Sequence, residues 1–114
     1  MEIFSFEVAS GRAISAYGSV GLVAQKLVRG DAVDVTVLHV AAGGHIGRHV
    51  APVDQLFVVT AGRGEVQAGD GDWEPVAAGR AVFWAAGTEH GTRADEDITA
   101  IVIEMEELPV VLKA

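Results

Sequence analysis

Apolar and polar side chains alternate along much of this chain. In residues 32–41, Val33, Val35 and Val37 take one parity, while Asp34, Thr36 and Leu38 take the other. In residues 98–105, Ile98, Ala100, Val102 and Glu104 interleave with Thr99, Ile101, Ile103 and Met105. Residues 55–61 and 81–85 are short apolar runs bounded by glycine. A period of two sends successive side chains to opposite faces of an extended strand, whereas an amphipathic helix needs a period near 3.6. Valine and isoleucine dominate these segments, as a pleated, half-buried surface favours. Further strands are expected at residues 3–8 and 20–28, with a loop over residues 10–19. Residues 104–108 have room for one helical turn.

Turn chemistry punctuates the pattern. Glycine clusters fall at Gly30, Gly43-Gly44, Gly62-Arg63-Gly64, Gly69-Asp70-Gly71-Asp72, Gly79 and Gly87, and the chain has fourteen glycines in all. Residues 64–76 read as a hairpin whose loop is 69–72. Many short strands with frequent turns imply an all-β sandwich or barrel. At 114 residues the chain makes one domain, residues 1–114, with no internal repeat or linker.

Composition narrows the function. A formal charge of −8 with only eight Lys and Arg excludes the basic surface that nucleic acid or an anionic membrane requires. The absence of cysteine excludes disulfides, thiol catalysis and cysteine–zinc sites. No apolar run reaches the length of a membrane span. The start Met1-Glu2-Ile3-Phe4 lacks the basic character of a secretory leader, so a cytoplasmic location is the expectation.

Two glycine-framed segments carry the candidate chemistry. In the first, Gly43 is followed by His49, Ala51, Gln55 and Gly62. In the second, Gly79 is followed by Ala85, Gly87, His90 and Ala94. This spacing resembles the paired motifs of small cupins, with core motifs spanning residues 43–94. The resemblance implies a cupin fold of the RmlC-like type: a double-stranded β-helix, or jelly-roll, barrel. It also implies that His49, Gln55 and His90 converge in the barrel mouth. In the family pattern Ala51 stands where a second histidine belongs, Gln55 where a glutamate belongs, and Ala85 and Ala94 where proline and asparagine belong. The family's three imidazoles and one carboxylate suit Zn, Ni, Mn or Fe. Here His49, His90 and Gln55 are the metal candidates, with one imidazole and the anion missing.

Three readings follow. In the first, the barrel binds a small organic ligand and is weakly catalytic or non-catalytic, with His49, Gln55, His90, Phe57 and Phe83 lining the pocket. In the second, it is a metal-dependent enzyme of the dioxygenase or isomerase type. In the third, it is a dimeric scaffold. Of Phe83 and Trp84, one must face inward. His39 and His45 read as strand and loop residues outside the site. Arg48 and Arg93, near the mouth in sequence, either attract a carboxylate or offset local acidity. A homodimer is expected, because small cupins usually pair and the segments 3–8 and 109–112 read as apolar edges that need cover.

Overall fold

The alternating segments form strands. The computed structural model describes residues 1–113, and among them nine strands build a nearly closed antiparallel barrel. In chain order these are β1 (Arg12–Ile14), β2 (Val20–Arg29), β3 (Val33–Val50), β4 (Asp54–Ala61), β5 (Arg63–Ala68), β6 (Glu74–Ala77), β7 (Ala81–Trp84), β8 (Glu89–Ala94) and β9 (Ile98–Met105). The hydrogen-bonded order runs β6-β5-β8-β3-β9-β4-β7, with β2 also on β3 and β1 on β2.

The long strand β3 joins the two halves of the barrel. Its first part pairs with β9, from Val33↔Met105 to Val40↔Ile98. Its second part pairs with β8, from His45↔Arg93 to Val50↔Glu89. Between the two lies Ala41-Ala42-Gly43-Gly44, where Gly43 has φ +80°, a left-handed conformation that glycine adopts without steric cost. The predicted hairpin is β5–β6, in register from Arg63↔Ala77 to Val66↔Glu74.

Strand pairing stacks the inward side chains in rungs. One rung runs Leu38–Ala100–Val59, and the next runs Thr36–Val102–Phe57–Val82. Phe57, Val59, Ala100 and Val102 are buried in these rungs, together with Val40 and Ile98 deeper in the barrel. The last rung is polar: Asp34–Glu104–Gln55–Trp84. It marks the open end.

Two expectations fail at the ends. Residues 1–6 form no strand and lead into a short 3-10 turn at Val8–Ser10. Side chains hold this segment in place of a backbone ladder: Gln25 Nε2 donates to the Ser5 carbonyl at 3.1 Å, and His39 Nε2 donates to the Phe6 carbonyl at 2.8 Å. Residues 109–112 are likewise outside any strand. Conversely, the expected loop 10–19 contains β1 and a 3-10 turn at Ala16–Gly18.

Candidate functional site

The polar rung and the facing strand β8 enclose a cavity of about 160 Å³. His49 comes from the second part of β3 and His90 from β8, and the two are direct cross-strand partners. Gln55 comes from β4 and Glu104 from β9, also as direct partners. Phe57, Trp84, Val102 and Thr92 complete the inner wall, and the Ala16–Gly18 turn roofs it through Tyr17.

The rings form a column across the mouth. Tyr17 stacks on His49, with centroids 4.5 Å apart and planes 7° from parallel. His49 meets His90 at 4.4 Å, and His90 stacks on Trp84 at 4.1 Å. Trp84 in turn meets Phe57 at 5.6 Å in a tilted arrangement. The roof is tied to β3 by two bonds. Gly47 N–H donates to Ser19 Oγ at 2.9 Å, and His45 Nε2 donates to the Gly18 carbonyl at 2.9 Å. A side chain at Gly47 would collide with the Tyr17 carbonyl, so glycine there is what lets the roof approach.

Hydrogen-bond chemistry fixes the polarity of two groups. His49 Nδ1 lies 2.7 Å from the Gly47 carbonyl, which can only accept, so Nδ1 carries the proton. In the neutral ring Nε2 then presents a lone pair. Gln55 Nε2 donates to Glu104 Oε2 at 3.2 Å, which turns the Gln55 carbonyl oxygen to other partners. His90 is 5 % exposed, and its buried Nε2 has no hydrogen-bond partner among the described residues. Burial, and secondarily the adjacent His49, lowers its pKa from 6.5 to about 4, so His90 is neutral near pH 7.

Most predicted pocket residues meet: His49, Gln55, Phe57 and His90 all line the one cavity. Phe83 does not. It is 47 % exposed on the outer face of β7, because Trp84 takes the inward parity opposite Gln55. Sequence reading missed Glu104 and Tyr17. Glu104 shares the parity of Ile98, Ala100 and Val102, a signal that placed it inward; Tyr17 sits in an expected loop and left none. His39 and His45 are outside the cavity, but His45 lies within β3, paired with Arg93 of β8, and not in the expected loop. Arg48 pairs with Asp70 and Glu89, and Arg93 pairs with Glu65 while covering the Trp73 ring at 4.1 Å. Both arginines therefore offset local acidity on the outer surface.

The Cupin domain family model matches residues 36–106, well over half of the chain. The chain is a cupin. Solved structures agree in fold. This cupin is similar to a Cupin 2 conserved barrel domain protein from Salinispora arenicola, at 24 % identity and TM-score 0.76, over 94 % of this chain and 90 % of that one. It is similar to a cupin-like protein from Thermotoga maritima, at 21 % identity and TM-score 0.78, over 90 % and 80 % of the two chains. It is also similar to the DMSP lyase DddQ from Ruegeria pomeroyi, at 19 % identity and TM-score 0.72, over 94 % of this chain but 57 % of that one. Among curated proteins, none matches the cupin in sequence. Identities this low speak to the barrel and not to its chemistry.

Cupins often hold a metal in this mouth, and the donor set can be compared with that role. Among the described residues neither His49 Nε2 nor His90 Nε2 has a hydrogen-bond partner, as suits an imidazole ligand. The rest departs from the pattern. Gln55 commits its amide to Glu104, and Ala51 is buried beyond the end of β3, outside the cavity lining. Among the described residues no three His, Cys, Asp or Glu side chains are grouped to hold a metal ion. The residues present do not fit a centre of three imidazoles and a carboxylate.

Proposed function

We propose that this cupin binds a small organic molecule in the barrel mouth and is weakly catalytic or non-catalytic. The observation that carries the reading is the cavity itself: largely apolar and aromatic walls, with His49, Gln55, His90 and Glu104 among its polar groups. The buried, unpartnered Nε2 of His90 supports it, because a buried polar atom without a partner is costly and a ligand can satisfy it. Burial also keeps the His90 ring neutral, so it can accept or donate one hydrogen bond without carrying charge into the cavity.

The test combines elemental analysis of untagged protein with a thermal-shift screen of small organic compounds. The expected outcome is substoichiometric metal together with stabilisation by compounds of up to about ten non-hydrogen atoms. Stoichiometric Zn, Ni, Mn or Fe with no organic hit would replace this reading with the metal-dependent one. We also propose that the working form is a homodimer. Ile3, Phe4 and Phe6 are exposed, and Val35, Leu56, Val58, Ile101 and Ile103 leave a half-buried apolar stripe on the outer face of β3, β4 and β9. A symmetric partner would cover such surface.

A further inference from the structure

Apart from its two histidines, the cavity lining carries charge of one sign. Among the described residues that line the cavity, Glu104 is the single carboxylate and there is no Lys or Arg. Among the described residues Glu104 forms no salt bridge; its one side-chain partner is the neutral amide of Gln55. The cations nearby are spent elsewhere. Lys26 pairs with Asp34 at 3.4 Å, and Arg48 and Arg93 hold outer-surface acids. Asp34 lies beside Glu104 in the same rung, and its Oδ1 is buried without a partner.

Two neighbouring polar groups, Gln55 and His49, lean the same way, while His90 and the hydroxyls of Ser19, Thr36 and Thr92 can serve either as donor or as acceptor. Gln55 donates to Glu104 and so offers its carbonyl oxygen. His49 donates to Gly47 and so offers a lone pair at Nε2 when neutral. Around these acceptors stand the rings of Tyr17, Phe57 and Trp84. Aromatic faces attract cations through their quadrupole, more strongly where water is excluded. A half-buried carboxylate beside acceptors and aromatic rings repels anions, and a cation offsets its lost hydration more fully than a neutral hydrogen-bond donor does.

From this arrangement we infer that the ligand of the barrel mouth is a small organic cation, an ammonium compound whose charge lies against Glu104 and the Gln55 carbonyl and whose body lies among Tyr17, Phe57 and Trp84. The inference rests on the reading of the mouth as an organic-ligand pocket and adds the ligand's charge class. Size sets a further bound. A cavity near 150 Å³ holds a molecule such as benzene, so the 160 Å³ here suits a ligand of about six to ten non-hydrogen atoms.

Three probes of one shape separate charge from fit: choline, its uncharged isostere 3,3-dimethylbutan-1-ol, and the anion 3,3-dimethylbutanoate. Each is titrated calorimetrically into the full chain at pH 7.5, and the Trp84 indole resonance reports whether binding occurs in the mouth. Choline is expected to bind at least tenfold more tightly than the alcohol, with no binding of the anion. In Glu104→Gln, confirmed as folded by circular dichroism, the preference for choline over the alcohol should vanish while the alcohol still binds. Equal binding of choline and the alcohol, or tighter binding of the anion, overturns the charge assignment and leaves the organic pocket standing. Failure of all three to shift Trp84 at millimolar concentration overturns both. The wild-type panel decides the question even if Glu104→Gln does not fold.

Discussion

His90 is the residue where burial and chemistry meet. Its pKa is lowered to about 4, so the unfolded chain takes up a proton on this side chain near pH 6.5 while the fold resists it. The unfolded state therefore binds more protons between those values, and stability falls as pH drops from about 6.5 to about 4. Above that window His90 contributes no pH dependence, and below it the loss is complete, at roughly 3 kcal/mol or less. Thermal denaturation of wild type and His90→Gln across pH 4 to 8 checks this: the acid-side decline of wild type should be shallower in the variant. Parallel curves would mean that His90 titrates normally in the fold. At this scale the sequence was partly legible. Motif register located His49, Gln55 and His90, because family spacing encodes which strand positions face the mouth. Glu104 escaped because its importance lies in a partner forty-nine residues away. Parity shows which face a side chain takes, but not which strand will lie beside it.

At the scale of elements, alternation and turn chemistry identified the long strands and the β5–β6 hairpin, since those signals are local. The ends were misread for a related reason. Residues 3–8 have the apolar content of a strand but pair with none, and side-chain bonds from Gln25 and His39 take the place of a ladder. The roof was invisible for the opposite reason: Ala16–Gly18 is too short to carry a period, and Tyr17 sits there at φ +60°, a conformation uncommon outside glycine. Its position depends on Gly47. Gly47→Ala should displace the turn, break the Tyr17–His49 stack and cost about 1–3 kcal/mol through overpacking. The expected observations are a lowered melting temperature and faster proteolysis within residues 15–18. An unchanged melting temperature would show that the roof moves aside freely.

The whole molecule is small, acidic and apolar on part of its outer face, with a formal charge of −8. If β3, β4 and β9 present that face to a second copy, light scattering at micromolar concentration should give twice the 11.9 kDa chain mass. A monomer mass would assign the exposed apolar stripe and the N-terminal segment to some other cover. The barrel class was legible because many independent strand and turn signals agree; strand parity does not specify which outer face a partner covers, so the dimer rests on the measurement. The continuity of β3 has a final consequence. Its eighteen residues hydrogen-bond to β2 and β9 along one part and to β8 along the other. Neither half of the barrel can fray completely without stripping bonds from a strand the other half also needs. The two halves should therefore open as one unit, with the amides of β3 among the last to exchange with solvent and the roof among the first. The mouth would thus exchange its contents by local motion of Ala16–Gly18 while the wall behind it stays closed.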